Sequence, residues 1–334
     1  MRSVDIVNEY LVKQGFKLKR ATLGDPRTIE YTIVSGIDND RGMILSSESV
    51  TYPFSSTVAK EITGDKTKTH SLAKLLGIAT PDTVIIPYES TDISQAILLL
   101  DSHSQLVVKP HNGHQSKGVF LGIENYSQLE NAVKKTVSNE QSAVVQEQFT
   151  GEEVRFSVID GEVRAALLRQ KPHVVGNGID TVAQLIEKEN VDRKNISSSM
   201  VTYPLLDEKL VDKSLLASSN IPAKNERLEL NTATMIRNGA SVYNVLPIIH
   251  RDYIHVAERL ARHIPARVVC VDLMISDYKQ PSDAHSYRLI EMNLGMSLPL
   301  CYSCRDASHF RIVEDYLGPI IIEALHSRGI YATA

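Results

Sequence analysis

The sequence lacks several features that would place it in a functional class at once. Its 334 residues include three cysteines, too few for a disulfide framework, so we expect a protein of the reducing cytoplasm. Lys and Arg total 36 and Asp and Glu total 40, so the net charge of −4 gives no global attraction to nucleic acid or anionic membranes. No window approaches the roughly 18 apolar residues that span a bilayer, and the beginning of the sequence lacks the apolar core of a signal peptide. We therefore expect a cytoplasmic protein that binds neither nucleic acid nor membrane.

Short strands and amphipathic helices alternate along the chain, and repeats are absent. Asp65 is suited to cap one helix, Thr181 and Gln184 have the spacing of a capping box, and Asp160-Gly161 between two alternating runs predicts a hairpin. Serines and asparagines accumulate in residues 191–245, where we expect loops and short elements. Antiparallel strand pairs mixed with helices predict an α+β protein. Helical spacing of apolar residues predicts helices near residues 4–14, 65–76, 127–137, 181–190, 252–264 and 307–327.

The stretch LVVKPHNGHQSKGVFLGI, residues 106–123, has part of the pattern of a phosphate-binding loop. A Walker-type loop places its lysine directly after the second glycine and continues into a helix. Here Lys117 precedes Gly118 and strand-like residues follow, so the Walker interpretation fails. Two interpretations remain. The loop either joins two antiparallel strands and folds over a polyphosphate, with Lys109 in the same cleft, or it is a solvated hairpin with surface lysines.

Three polar side chains interrupt two apolar strands near the end of the chain. Asp272 lies in VVCVDLMI, whereas Glu291 and Asn293 are two residues apart in YRLIEMN and so project from one face. A carboxylate buried without a partner is costly, so Asp272 is expected to face a cleft or a cation. If the two strands pair as a hairpin, the three side chains form an oxygen-donor patch of the kind that Mg²⁺ prefers beside a nucleotide. The alternative is that they are polar residues of an edge strand.

Six segments that occur in one order resemble the ATP-grasp superfamily, in particular the ATP-grasp domain of cyanophycin synthetases and of bifunctional glutathione synthetases. This resemblance implies an ATP-grasp fold, in which two α+β lobes hold the nucleotide between antiparallel sheets. It implies a short N-terminal pre-ATP-grasp region over residues 1–61, a small lobe over 62–147, and a large lobe with the metal and substrate site over 148–330. The segments are GDKTKTHSLAKLLGIATP, LVVKPHNGHQSKGVFLGI, VVQEQFTGEEVRFSVIDGEVRAALLR, HVVGNGIDTVAQLI, RVVCVDLMI and LIEMNLGMSLPL.

The resemblance also implies a nucleotide site in which each group of residues has one role. Metal ions and lysines there neutralise charge on the transferred phosphoryl group, and ATP with Mg²⁺, or Mn²⁺ in its place, is the implied cofactor. The implied residues are Lys66 and Lys109 for the phosphates, Lys117 and Gly118 for the closing loop, Glu147 and Phe149 for adenine, Glu153 for ribose, and Asp272, Glu291 and Asn293 for Mg²⁺.

The implied chemistry is that of a carboxylate-amine ligase acting on amino acids or small peptides. A carboxylate attacks the γ-phosphate to give an acylphosphate and ADP, and an amine then displaces phosphate to form an amide. Two alternatives stay open, namely a nucleotide-binding pseudoenzyme with a regulatory role and an ATP-grasp kinase of a small molecule. Homo-oligomerisation is common in the family, so a second copy of the chain is a further expected partner.

The substrate side departs from the family pattern. Asn231 stands where the relatives carry an arginine, and Ala240 stands where they carry a second glycine. We hypothesise that Arg237 substitutes for the arginine. Arg169 is our choice for a contact to the transferring phosphate or to a substrate carboxylate.

The pair Cys301 and Cys304 has the C-x-x-C spacing of zinc and redox sites. Zinc requires about four ligands, and His309 is the one close additional donor, so we favour a role for the two cysteines in lining the substrate pocket.

Overall fold

A computed structural model of the protein describes residues 2–22, 30–36, 42–46, 54–90, 92–111, 118–137, 141–196, 203–216, 220–231, 236–305 and 311–332. The helices in these ranges are α1 (Ser3–Lys13), α2 (Thr57–Thr63), α3 (Lys66–Leu75), α4 (Ser94–Ser102), α5 (Tyr126–Val137), α6 (Val182–Ile196), α7 (Arg251–Arg262), α8 (Leu298–Tyr302) and α9 (Gly318–His326). The strands are β1 (Lys17–Thr22), β2 (Glu30–Ser35), β3 (Gly42–Ser46), β4 (Thr83–Ile86), β5 (Leu106–Pro110), β6 (Phe120–Ile123), β7 (Ala143–Glu147), β8 (Glu152–Ile159), β9 (Glu162–Gln170), β10 (His173–Val175), β11 (Arg227–Glu229), β12 (Ser241–Asn244), β13 (Val268–Ile275) and β14 (Tyr287–Leu294).

The strands form four antiparallel sheets within the described ranges. Their orders are β12-β9-β8-β13-β14, β4-β7-β5-β6, β1-β2-β3 and β10-β11. The predicted α+β class is confirmed. The predicted hairpin joins β8 to β9, with Asp160 and Gly161 at φ of 51° and 79°, the left-handed conformation that a tight two-residue turn requires.

The five-stranded sheet is covered on both faces by apolar side chains. One face packs with α1, α8 and α9 and with the three-stranded sheet, and the other packs with α2, α3 and α7. The four-stranded sheet has a separate core with α4 and α5. Ala73 of α3 thus lies in a core of the five-stranded sheet, although α3 precedes the four-stranded sheet in the chain. The predicted lobe limits at residues 62–147 and 148–330 stay predictions.

Two contacts fix α1 against the C-terminal part of the chain. The Ser3 hydroxyl donates to the carbonyl of Met296 and accepts from the amide of Leu298, both at 3.1 Å. A Cβ placed on Gly318 would lie 2.3 Å from the Tyr10 ring, which is too close for a side chain there. The Val313 carbonyl oxygen would lie 2.6 Å from the same Cβ, so glycine at position 318 is required by the approach of α1 and by this carbonyl.

Three parts of the predicted secondary structure need correction. Helix α4 was not predicted between β4 and β5, and α6 continues to Ile196, inside the segment expected to be loops. The same segment contains β12, a strand of 4 residues at an edge of the five-stranded sheet, which agrees with the short elements expected there. The single closing helix predicted over 307–327 is, in its described part, a π-helical turn (Val313–Leu317) followed by α9. No helix in the described ranges is both long and apolar enough to cross a membrane.

Candidate active site

The centre of the candidate site is a buried ion pair between neighbouring strands. Asp272 of β13 lies opposite Glu291 of β14, as predicted, and opposite Arg155 of β8 on its other side. Arg155 Nε donates to Asp272 Oδ1 at 2.6 Å, and its Nη2 bonds Oδ2. Asp272 is 1% exposed. Burial by itself raises the pKa of Asp272, but the charge of Arg155 outweighs burial and holds this pKa below its usual value.

Glu291 extends the ion pair into a partly open patch. Asn293 Nδ2 donates to Glu291 Oε1 at 3.1 Å, and Arg155 Nη2 lies 3.7 Å from the same oxygen. Glu291 is 30% exposed, in contrast to Asp272. The three side chains predicted as metal ligands therefore lie together on one surface. Each would offer an oxygen atom, from a carboxylate or from the amide, and a set of oxygen donors fits Mg²⁺.

Two lysines face this patch from other elements. Lys66, the first residue of α3, places its Nζ 3.4 Å from Glu291 Oε2. Lys109 of β5 interacts electrostatically with both Lys66 and Glu291. Burial, and then the charge of Lys66, lower the pKa of Lys109 to about 8, whereas the charge of Glu291 raises it. The structure thus brings both predicted phosphate-binding lysines beside the predicted metal ligands.

The position of α3 follows from its cap and from one contact to β14. Asp65 caps the helix by accepting from the amide of Thr67 at 2.8 Å, as its sequence predicts. His70 Nε2 lies 3.1 Å from the carbonyl of Ile290, next to the irregularity in pairing between β13 and β14. These contacts hold the start of α3, and with it Lys66, over the carboxylate patch.

A second ion pair lies on the same face of the five-stranded sheet. Glu153 of β8 is opposite Arg169 of β9, and Arg169 Nη1 donates to Glu153 Oε1 at 2.7 Å. Burial raises the pKa of Glu153, against the effect of Arg169. Glu153 is two residues from Arg155, so the two ion pairs share one surface. Both Glu153 and Arg169, predicted for ribose and for substrate or phosphate, line this surface.

The residues predicted to contact adenine form a contact between the five-stranded and the four-stranded sheet. Glu147, at the end of β7, accepts from Arg288 of β14 at 3.0 Å and 2.9 Å in a bidentate pair. The Arg288 guanidinium also lies 5.0 Å from the centre of the Phe149 ring. Arg288 was not predicted from the sequence, because no local pattern relates an arginine on β14 to a glutamate that lies 141 residues earlier.

The structure describes Gly118, whereas two other predicted site residues, Lys117 and Arg237, are described in part or not at all. Gly118 adopts a φ of 71°, and a Cβ placed there would lie 3.0 Å from Pro110 Cγ, so glycine suits this turn. Lys117 lies outside the described residues, as does the rest of segment 112–117, and its role in a closing loop stays a prediction. Arg237 has its backbone in a short 3₁₀ turn (Ile236–Asn238), and its side chain is outside the described part.

The cysteines contribute to a core and do not line a pocket. Cys301 and Cys304 are free, are 0% and 3% exposed, and pack in the core that contains α1 and α9. This burial contradicts the prediction that they line the substrate pocket. Within the described ranges, Asp82, His103 and Glu147 are the one group of three acidic, histidine or cysteine side chains with ligand atoms within 4.8 Å of one another, so no zinc site forms at the cysteines there. His309 lies outside the described residues.

The chain is similar in sequence to a known protein family and to proteins of known name. Residues 63–178 match the family described as the RimK-like ATP-grasp domain. A cyanophycin synthetase of Trichormus variabilis is 25% identical over 238 residues, which cover 70% of this chain and 26% of that protein. The glutathione biosynthesis bifunctional protein GshAB of Clostridium perfringens is 25% identical over 218 residues, which cover 63% of this chain and 28% of that protein. The chain thus spans between a quarter and a third of the length of these relatives, and the predicted resemblance is confirmed.

Two solved structures share the fold. A bifunctional glutathione synthetase from Pasteurella multocida superposes with a TM-score of 0.64 and 22% identity, over 92% of this chain and 42% of that one. A D-alanine–D-alanine ligase from Bacillus anthracis superposes with a TM-score of 0.52 and 17% identity, over 84% of this chain and 73% of that one. At these identities the superpositions establish the arrangement of elements only.

Proposed function

Because the chain has the ATP-grasp fold, we propose that it is an ATP- and Mg²⁺-dependent carboxylate-amine ligase for amino acids or small peptides. One observation carries the proposal: the carboxylates of Asp272 and Glu291 lie on one sheet face, with Lys66 and Lys109 beside them. Anionic groups for a metal and cationic groups for phosphates are the two parts that phosphoryl transfer requires. The similar proteins include a cyanophycin synthetase and a protein of glutathione biosynthesis, and these names support the same class of reaction.

The proposed metal ligands are Asp272, Glu291 and Asn293. When bound, Mg²⁺ supplies positive charge to the phosphoryl group during transfer. Arg155 keeps Asp272 ionised at neutral pH and holds its carboxylate against β8. In this proposal Arg155 is a positioning residue, because its guanidinium contacts two of the proposed metal ligands, Asp272 and Glu291, and does not itself contact the metal.

The other residues of the proposal hold the nucleotide and the substrate. Lys66 and Lys109 bind the phosphates, and Lys117 with Gly118 closes over them. Glu147 and Phe149 meet adenine at the contact between the two large sheets, where Arg288 fixes both side chains. Glu153 binds ribose, and Arg169, held by Glu153, orients the transferring phosphate or a substrate carboxylate. Arg237 stays a proposed contact on the substrate side. A cytoplasmic location and homo-oligomerisation are likewise predictions.

The proposal is tested by incubating the purified chain with ATP, Mg²⁺ and pairs of amino acids and dipeptides. We expect release of ADP and phosphate that depends on both an acid and an amine, with an amide product identified by mass spectrometry. Chelation of divalent cations by EDTA should abolish the release, and added Mg²⁺ or Mn²⁺ should restore it. Nucleotide binding without turnover of any pair would favour the regulatory pseudoenzyme, and a stable phosphorylated product formed without an amine would favour the kinase.

The lowered pKa of Lys109 predicts that nucleotide binding depends on pH. The free protein loses the Lys109 proton at about pH 8, whereas bound phosphates favour the charged form and raise this pKa. Binding should therefore take up a proton above this pH, and the Kd for ATP should rise by up to about tenfold per pH unit. Calorimetry in buffers of different ionisation enthalpy measures both effects. Lys109→Arg keeps its charge over this range and should flatten the profile, and an equally steep profile in that variant would contradict the assignment.

A further inference from the structure

Two arginines share one carboxylate at the β12 edge of the five-stranded sheet. Arg193 of α6 donates its Nε to Glu189 Oε1 at 2.7 Å, and Arg305 Nη2 bonds the same oxygen. Both guanidinium groups also lie over the ring of Tyr203, at 5.1 Å and 5.9 Å from its centre. We call these four residues the arginine cluster. It contains two positive charges and one negative charge, so it is suited to accept one more anionic group.

The two arginines differ in how completely their donors are used. Arg193 is 0% exposed, and its remaining nitrogens donate to the carbonyl of Pro204 at 2.9 Å and to Ser241 Oγ at 3.0 Å. Its role is therefore structural. Arg305 is 20% exposed, and its Nε is buried without an acceptor among the described residues. A buried donor of a charged group without an acceptor is costly, so Arg305 is the member that can bind a ligand.

The electrostatic environment around Arg305 is positive. Burial lowers the pKa of His173, and the charges of Arg227, Arg305 and Arg193 lower it further, while a hydrogen bond to the carbonyl of Lys171 acts against them. His173 is held neutral chiefly by burial and adds no charge, whereas the three arginines that lower its pKa are positive charges that would also stabilise an anion from outside the chain.

The backbone places Arg305 next to the candidate active site. The Arg305 amide donates to the carbonyl of Val242 at 2.9 Å, and Val242 of β12 lies opposite Arg169 of β9. Arg169 is held by Glu153 on the face that also carries Arg155 and Asp272. The arginine cluster thus adjoins the substrate side of the surface on which phosphoryl transfer is proposed, at the edge away from Glu291 on β14.

We propose that Arg305 binds a carboxylate of the amino acid or peptide substrate and selects substrates that carry it, an inference that rests on the proposed ligase function. The planar guanidinium matches a carboxylate in geometry, and a single negative charge balances the arginine cluster. Arg305 does not take part in bond formation in this proposal. It contacts the substrate at a carboxylate that stays intact, and it therefore acts on substrate affinity.

The experiment compares free carboxylates with their amides. Amino acids and alanine-containing dipeptides, each with its C-terminal amide, are titrated into the full chain by calorimetry in the presence of Mg²⁺ and a non-hydrolysable ATP analogue. We expect the wild-type protein to bind at least one acid about tenfold or more tightly than its amide. Arg305→Gln should remove this preference, Arg305→Lys should retain part of it, and the affinity for the ATP analogue should stay unchanged.

Matched variants separate a binding role from a structural one. Arg262→Gln removes an arginine that pairs with Glu258 at an exposed site on α7, and it should leave the acid preference intact. In turnover assays Arg305→Gln should raise KM for one of the two substrates and leave kcat nearly unchanged. Equal binding of acid and amide by the wild-type protein, or an unchanged preference in Arg305→Gln, would overturn the inference. Acid-selective binding without ADP release from any pair would instead refute the ligase and leave the carboxylate site in place.

Discussion

Asp272→Asn is expected to lower ATP-dependent ADP release at least about 100-fold and the free energy of unfolding by about 3–5 kcal/mol. The substitution keeps the shape of the side chain but removes its charge, so a metal ligand is weakened. It also leaves the buried guanidinium of Arg155 without its counter-ion. The two losses have one cause, because the carboxylate proposed to bind metal is also the partner of Arg155. Urea unfolding and a coupled ADP assay measure them separately.

Asp160→Asn is the matched control. Asp160 forms a bidentate pair with Arg267 at 2.6 Å and 2.8 Å, with both groups exposed, at the opposite end of β8. Loss of an exposed pair costs about 0–1 kcal/mol, and asparagine tolerates the left-handed backbone of this turn. Activity should be unchanged. Equal destabilisation by the two substitutions would show that the pair between Asp272 and Arg155 is not desolvated as described.

Glu291→Gln is expected to lower turnover to a similar extent, about 100-fold or more, with little change in stability. Glu291 is 30% exposed, and its contact to Lys66 is of the solvated kind that contributes about 0–1 kcal/mol. The variant should unfold at nearly the wild-type urea concentration and still bind ATP in the absence of metal. The activity assay is run over a range of Mg²⁺ concentrations, where a weakened ligand should appear as a raised metal requirement.

Glu61→Gln provides the comparison for Glu291→Gln. Glu61 forms a surface ion pair with Lys68, which lies two residues after Lys66 on the same helix. This change removes a carboxylate–lysine contact of the same type without touching the carboxylate patch, and activity should not change. Wild-type turnover in Glu291→Gln at low Mg²⁺ would remove Glu291 from the proposed ligands.

The parts of the site that were predicted from the sequence depend on local patterns. The pairing of Asp272 with Glu291 follows from two apolar strands joined by a polar loop, because the alternation of side chains fixes which residues share a face. Asp65 is recognisable as a cap because its side chain reaches amides only two and three residues away. The ATP-grasp fold was predicted from the order of six segments and not from any one of them.

The parts that were missed depend on contacts between distant segments. Arg155 and Asp272 are 117 residues apart, and their pairing exists because β8 lies beside β13 in the sheet. The sequence places Arg155 on a strand but does not say which strand is its neighbour. The C-terminal part of α6 was assigned to loops because its polar residues lack helical periodicity. In that part Arg193 is buried and donates to Pro204 and Ser241, so contacts with other segments, which local periodicity does not reveal, hold the helix there.

The close approach of Gly318 to Tyr10 has an evolutionary consequence. A side chain at position 318 would overlap the Tyr10 ring and also the backbone carbonyl oxygen of Val313, 2.6 Å from the Cβ, so loss of the ring alone would not make room for it. Homologous chains that keep this packing should therefore keep glycine at position 318, even where the residue at position 10 differs. A retained glycine would mark, across divergent sequences, the chains in which the first helix still lies against the last.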